Sequence, residues 1–364
     1  ATTAFANGVE LWLEASAQAL IVEDGVVSGV RIQWRGEEHA VRARGGVLLA
    51  MGGFAAGEHA GQWRPASAAP HLSMSPPANV GDGQRLAASV QAALGEQLAA
   101  NFFWAPVSRL RKADGSEERF AHLVTDRAKP GVIAVNQDGQ RFVNEANSYH
   151  SFVEAMLANG GANAPCWLVC DGEALNTYGL GLARPRPVDN SALIAAGYLL
   201  RADSLAELAA RLAIDPSKLA HTVQRFNNDA AAGVDRQFGK GSNAYNRYMG
   251  DPLHTPNPCL RPLNKPPYYA IRLHTGDLGS ARGLVTNGQA NVLNAQGEPI
   301  AGLYAAGNEM NSIMAGTYPG PGITLGPALT FAYLAAKDIA GRLNGATATT
   351  STHSTQPSGE QHVL

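Results

Sequence analysis

GLYAAGNEMNSIMAGTYPGPGITLGPALT, residues 302–330, is the stretch on which the reading of this chain turns. Leu303 to Ala306 reads as a buried strand that stops at Gly307-Asn308-Glu309. A strand whose C-terminal end carries a small residue and polar side chains can present them to a ligand. Tyr318 then enters Pro319-Gly320-Pro321-Gly322, and a helical run starts near Ile323. Proline fixes φ, so the turn is stiff. Gly320 and Gly322 have no side chain, so their backbone N–H groups can come close to a ligand. The helix behind the turn brings roughly half a positive charge to its N-terminus.

Strands precede this unit: YAIRLHTG (269–276), GLVTN (283–287) and ANVLN (290–294). The N-terminal part is also strand-rich, with a hairpin closing at Glu23-Asp24-Gly25 and a buried strand, Val47 to Ala50, running into Gly52-Gly53. Gly81-Asp82-Gly83 opens a helix. In between, residues 131–150, GVIAVNQDGQRFVNEANSYH, read as a strand, a turn and a second strand. Residues 204–233 are helical with a break at Asp215-Pro216, and 238–269 are proline- and glycine-rich and loop-like. The threonine- and serine-rich end reads as a disordered tail. Strands, a mainly helical block, then strands again suggest a discontinuous nucleotide-type domain with a second domain inserted.

Composition narrows the class. With 364 residues and 45% apolar content the chain can bury a sizeable core. A net charge of −2 lacks the broad field that a nucleic-acid or anionic-membrane binder needs. No apolar run approaches the roughly 20 residues that span a bilayer. Cys166, Cys170 and Cys259 are too few and too scattered for a disulfide framework, which points to a reducing compartment, the cytoplasm. PCWLVCD (165–171) has no histidine or second cysteine pair nearby, so buried thiols are expected there and no metal site.

Five segments, in order and spacing, resemble flavoproteins of the fumarate reductase/succinate dehydrogenase superfamily, and within it the 3-ketosteroid dehydrogenase branch. They are GGVLLAMGGF (45–54), VGDGQRLA (80–87), residues 131–150, residues 276–310 and GTYPGPGITLGPALTFAYLAA (316–336). The resemblance covers nearly the whole chain except the tail. It implies FAD and an α/β (α+β) fold: a discontinuous Rossmann-like FAD-binding domain, residues 1–104 and 271–345, and an inserted α+β capping domain, 105–270, followed by the tail, 346–364. The family opens with a strand–GxGxxG–helix unit for the pyrophosphate. No GxGxxG occurs here, and GGFAAG (52–57) has the wrong spacing. The chain is therefore expected to begin inside the flavin domain, as a fragment lacking the first βαβ unit.

The resemblance also implies roles. Tyr318 and the Gly322 N–H would hold the oxygen of a ketone as it becomes an enolate. Tyr149 falls where the branch places its catalytic base; an ordinary tyrosine has a pKa near 10, so it needs help from its neighbours. The cofactor set would be Ala50, Met51, Gly52 and Gly53 at the adenosine end, with Gly81 and Asp82. Gly307, Asn308 and Glu309 would sit near the ribityl hydroxyls, and Gly322, Ile323, Thr324 and Leu325 at the flavin. Met51 is often threonine in the family, and Ser280, Ala281 and Arg282 depart from its usual loop. Arg141, Asn144 and Glu145 match a structural signature at the domain junction.

The expected reaction is the desaturation of a small hydrophobic ketone, with hydride leaving for flavin N5 and an unidentified electron acceptor. A dicarboxylate enzyme is the rival, but it needs cationic clamps. From Glu309 to Ala336 there is no Arg, Lys or His, although Arg127, Arg272 and His274 could compensate. An inactive fragment is the third reading.

Overall fold

Positive φ at Asp24-Gly25 and again at Arg35-Gly36 folds the first strands back on themselves. The result is an antiparallel sheet of β1 (Ala15–Glu23), β2 (Val26–Trp34) and β3 (Glu37–Arg42). The first turn lies where the sequence suggests; the second hairpin was not anticipated. The computed structural model describes residues 2–351. The later strands are β4 (Val47–Leu49), β5 (His71–Ser73), β6 (Phe102–Arg111), β7 (Glu117–Ala121), β8 (Val132–Val135), β9 (Cys166–Asp171), β10 (Leu200–Ala202), β11 (Tyr268–Ser280), β12 (Asn291–Leu293) and β13 (Pro299–Ala305). The helices are α1 (Thr2–Ala6), α2 (Asp82–Ala88), α3 (Tyr149–Gly161), α4 (Gly172–Tyr178), α5 (Ser191–Ala195), α6 (Leu205–Leu212), α7 (Pro216–Ala231), α8 (Ala244–Met249) and α9 (Leu325–Ser351). The last helix reaches past residue 345, and the rest of the expected tail, 352–364, lies outside the described residues.

One small sheet has the order β12-β13-β4. In it β13 runs parallel to β4, pairing Leu303 with Val47 and Ala305 with Leu49. Parallel strands end on the same side, so Gly307-Asn308-Glu309 and Ala50 to Gly53 come together although they are far apart in sequence. The large sheet has the order β7-β6-β11-β9-β8, with β5 and β10 also bonded to β11. The long strand β11 passes through residues 270 and 271, where the sequence suggests two domains meet.

The middle of the chain is less helical than expected: besides β8 and β9, which lie where the sequence reads strand-like runs, it holds β7 and β10. These strands are short or evenly apolar, and periodicity alone does not separate such runs from buried helix. Alternation sorts their side chains. Val132, Ala134, Leu168 and Cys170 face a cluster with Phe152, Val153 and Met156 of α3. Ile133, Val135 and Val169 face Leu208, Leu212, Leu219, Val223 and Phe226 of α6 and α7. Helices thus cover both faces in a mixed α/β fold. Each such side chain contributes about 1.5–3 kcal/mol when fully buried. Asp215 caps α7 through its side chain with Pro216 at the first turn, as the sequence suggests.

The second strand expected within residues 131–150 does not form. Residues 141–148 are irregular, and Ser148 caps α3 by accepting from the Ser151 N–H at 3.1 Å. The reason is side-chain chemistry. Arg141 grips Glu145, four residues on, instead of sending alternate side chains to opposite faces. Tyr149 is therefore the first residue of a helix and not the last of a strand.

Candidate active site

Tyr149 opens α3, and Tyr318 lies in the stiff turn before α9. Their hydroxyls are hydrogen-bonded to each other. The ring centroids are 4.8 Å apart and tilted by 59°. His150 stacks on Tyr318 at 5.7 Å, and Phe103 meets it edge-on at 5.7 Å. Both phenols are buried, at 3% and 7% exposure, in a cluster with Phe103, Ala105, Ala281 and Ile323. His150 is fixed by the Trp104 N–H, which donates to Nδ1 at 3.1 Å. Burial raises the pKa of both phenols. Because they share one hydrogen bond, whichever loses its proton accepts from the other.

The turn is built as expected in part. Gly322 has φ of +95°, a conformation that favours glycine, and a Cβ there would meet nothing within 4 Å. Its carbonyl accepts from the Gly326 N–H at 2.7 Å, starting α9. Ile323 packs in the tyrosine cluster, which brings Gly322 to its edge. Gly307, Asn308, Ile323 and Thr324 line one small cavity with Phe103. Leu325, by contrast, is 70% exposed and lines none of this.

Glu309 gathers the other expected residues. It is fully buried. Its Oε2 accepts from the Gly53 N–H at 3.2 Å, whereas Oε1 has no partner among the described residues. Burial pushes its carboxyl pKa up. The Gly81 N–H donates to the Gly53 carbonyl at 3.1 Å, and the Ala306 N–H to the Leu49 carbonyl at 3.1 Å, tying three segments together. A Cβ at Gly53 would overlap Ser280 and Asn308, and one at Gly83 would overlap the Glu309 carboxyl. Backbone here lies close to a buried acceptor with a spare lone pair, which fits a hydroxylated ligand such as the sugar portion of FAD. Ala50 and Met51 follow β4, while Asp82 opens α2 and binds Arg85 at 3.0 Å on the surface. Gly83 was not singled out from sequence, although its place in Gly-Asp-Gly was the available signal.

Arg141 makes paired bonds to Glu145 (2.8 and 2.7 Å) and to Asp235 (3.0 and 2.9 Å). Asn144 bonds Asn246, within α8, at 2.8 Å, so this signature fastens residues 141–148 to α8 and, through Asp235, to the segment before it. The rival's cations are otherwise engaged or set apart. Arg127 spends its guanidinium on the carbonyls of His122, Leu123, Glu145 and Asn147. Arg272 and His274 line a separate cavity of about 360 Å³ with Arg109 and Trp167, sharing no lining residue with the tyrosine cluster. Asp277, in β11, is held by His71 (2.6 Å), Ser73 (2.7 Å) and Arg64 (3.4 Å). The three cysteines are free and buried. Among the described residues no group of His, Cys, Asp and Glu is arranged to hold a metal ion, and no helix is long and apolar enough to cross a membrane.

A strand-end glycine cradle around a buried carboxylate, with a phenol pair beside it, is the arrangement of a flavin-binding protein. The chain belongs to the FAD-binding domain family, which it matches over residues 1–325, and FAD is that family's cofactor. It is 39% identical over 349 residues to 4-oxocyclohex-2-ene-1-carboxylate 5-dehydrogenase of Sinomonas cyclohexanicum, covering 93% of this chain and 58% of that protein. It is also 39% identical to 3-oxosteroid 1-dehydrogenase of Mycobacterium tuberculosis, covering 92% of this chain and 60% of that protein. The crystal structure of 3-ketosteroid delta1-dehydrogenase from Sterolibacterium denitrificans, in complex with 1,4-androstadiene-3,17-dione, superposes with a TM-score of 0.85 at 38% identity, covering 93% of this chain and 61% of that one. The resemblance expected from the five segments is borne out. The chain spans about 60% of the length of these relatives.

Proposed function

We propose that this chain works as an FAD-dependent dehydrogenase that introduces a double bond beside the carbonyl of a cyclic ketone, in the manner of a 3-oxosteroid 1-dehydrogenase. The observation that carries the reading is the buried pair of phenol hydroxyls, Tyr149 to Tyr318, beside the turn at Gly322. Both named relatives act on cyclic ketones, one with a carboxylate and one without.

In this reading the Tyr149 oxygen takes the proton α to the carbonyl. Tyr318 donates its O–H, and Gly322 its N–H, to the oxygen on which negative charge develops. Bound FAD supplies the acceptor for the hydride that leaves the β carbon. Glu309, Asn308 and the backbone of Gly307 would hold its hydroxylated chain. Ala50, Met51, Gly52, Gly53, Gly81 and Asp82 would line the adenosine side, with Gly322, Ile323 and Thr324 at the ring. Aromatic walls from Phe103 and His150 keep water from the phenols and suit an apolar substrate. A Rossmann-like FAD domain with an inserted capping domain, and a cytoplasmic setting for three free thiols, complete the proposal. A dicarboxylate substrate is disfavoured, since Arg127 is committed to backbone carbonyls.

The test is turnover of a 3-oxosteroid and of 4-oxocyclohex-2-ene-1-carboxylate by the FAD-loaded protein, with an artificial electron acceptor. Desaturation of either, lost in Tyr318→Phe, is the expected result. Full activity in that variant, or a colourless protein that FAD cannot restore, would overturn it.

A further inference from the structure

The two phenols of the pair are nearly equivalent in burial and share one hydrogen bond, so their own contacts do not decide which becomes the base. Something outside the pair must break the symmetry, and Arg127 is placed to do so. It is 3% exposed, and among the described residues no carboxylate bonds its guanidinium, although Asp126 and Glu145 lie close enough to act on its charge. Nη1 donates to the Glu145 carbonyl at 2.7 Å and to the Asn147 carbonyl at 3.1 Å, the residues that lead directly into Ser148 and Tyr149. Nε and Nη2 donate back to the His122 and Leu123 carbonyls, each at 2.8 Å. The guanidinium carbon lies 5.1 Å from the ring centroid of Phe152, in the first turn of α3. A cation is thus bolted to the start of the helix that carries Tyr149, whereas Tyr318 arrives from the opposite end of the chain.

The loop that holds Arg127 is itself anchored. The Arg127 N–H donates to Asp126 at 2.8 Å, and Asp126 pairs with His122 at 2.6 Å. His122 bonds Ser108 at 2.7 Å, and Ser108 bonds Tyr198 at 2.7 Å. All of these residues are buried. The chain of bonds runs from β6 to Arg127, so the cation cannot swing away without breaking buried polar contacts.

We propose that Arg127 is the positioning residue that makes Tyr149, and not Tyr318, the base of the pair: it fixes the first turn of α3 and supplies the positive charge that favours a phenolate there. The inference rests on the ketone-desaturating reading above. Electrostatically Arg127 works against the other groups at Tyr149. The groups acting on Tyr149 are its burial, Tyr318 and Tyr245, all of which disfavour the phenolate, and Arg127, which favours it. At Tyr318 burial and Tyr245 disfavour the phenolate while the bond with Tyr149 favours it, and Arg127 is not among the groups acting there, so the cation beside Tyr149 opposes the way the shared bond leans. On the same helix His150 faces Glu154 at 3.5 Å. Tyr245 adds a buried hydroxyl with no partner among the described residues.

The experiment uses the FAD-loaded protein and a 3-oxosteroid deuterated α to its carbonyl. It follows loss of deuterium to water by mass spectrometry across pH, a readout of proton abstraction that does not depend on turnover of the flavin. Arg127→Met and Arg127→Gln should move the midpoint of this profile up by about one pH unit or more, the shift that corresponds to a tenfold change in equilibrium. Arg127→Lys keeps the charge but not the four bonds; it should lower the rate by about tenfold while holding the midpoint. The glutamine variant serves where the methionine one fails to fold, and the visible flavin band reports that the site is formed. Deuterium loss with an unchanged midpoint in the neutral variants overturns this inference alone. No deuterium loss in the parent protein, with none restored by FAD, overturns the desaturase reading and the inference with it.

Discussion

The hydroxyls of Tyr149 and Tyr318 meet inside the protein although 169 residues separate them in the chain. One comes from the capped first turn of a helix, the other from a proline-stiffened turn, and neither neighbourhood alone would bury a phenol oxygen with a partner. Their meeting is a property of the packing between α3, β6 and the end of β11. Four consequences can be measured.

Removing either hydroxyl leaves the other buried without a partner, which costs about 1–3 kcal/mol. Tyr149→Phe and Tyr318→Phe should each lower stability by that order, and the double variant by clearly less than the sum. Denaturant midpoints at constant slope measure this. Ketone desaturation should fall by about 100-fold or more in each single variant, the range of a lost general base or oxyanion donor. Additive stability losses would show that the two hydroxyls do not interact.

Glu309 has one oxygen bonded to Gly53 and one without a partner. A hydrogen bond to a charged group contributes about 1.5–3 kcal/mol, so Glu309→Ala should weaken FAD by about tenfold or more. Gly83→Ala should do the same, because its Cβ would overlap the Glu309 carboxyl. Flavin fluorescence titration reads both. Unchanged affinity in the two variants would remove Glu309 from the cofactor site.

Arg141 holds two buried carboxylates, Glu145 and Asp235. Arg141→Met should cost about 3–5 kcal/mol, since Asp235 loses its ion-pair partner and Glu145 keeps only Lys240, at 3.8 Å. A fall in denaturant midpoint of that size, at unchanged slope, is the expected result.

Acid should weaken the fold in two stages. Burial and the neighbouring Arg272 and Arg109 bring the His274 pKa down to about 4. The unfolded chain therefore binds more protons at this residue below its ordinary 6.5, and stability falls as pH drops from there toward 4. Burial would raise the Glu145 and Asp235 carboxyls, but Arg141 outweighs it at both, with Lys240 helping at Glu145, and holds them below their ordinary range. Their contribution is present above that range and is lost as pH falls through the depressed values. His274→Gln should flatten the first stage only, read as denaturant midpoint against pH. An unaltered slope there would exclude His274 as its source.

Much was legible from local chemistry. Asp24-Gly25 closed its hairpin, Asp215-Pro216 opened its helix, and the strands at 47–49 and 299–305 form where apolar runs end in glycine. Residues 141–148 were not, because their conformation is set by a guanidinium gripping carboxylates from two segments, one of them ninety-four positions on. Arg127 was visible only as a spare cation, and two of its four carbonyl partners exist only once the loop at 145–147 folds over it.

The sequence by itself determined the strand ends, the glycine positions and the stiff turn at Tyr318, since these follow from backbone sterics and short-range hydrogen bonding. It also carried the family, through motifs held in order along the chain. Only the tertiary structure decided that Tyr149 begins a helix, that its oxygen meets Tyr318, and that Arg127 spends its guanidinium on backbone carbonyls. Those facts depend on which distant groups share a buried, poorly screened volume, and proximity of that kind is created by packing, not by any neighbour in the chain.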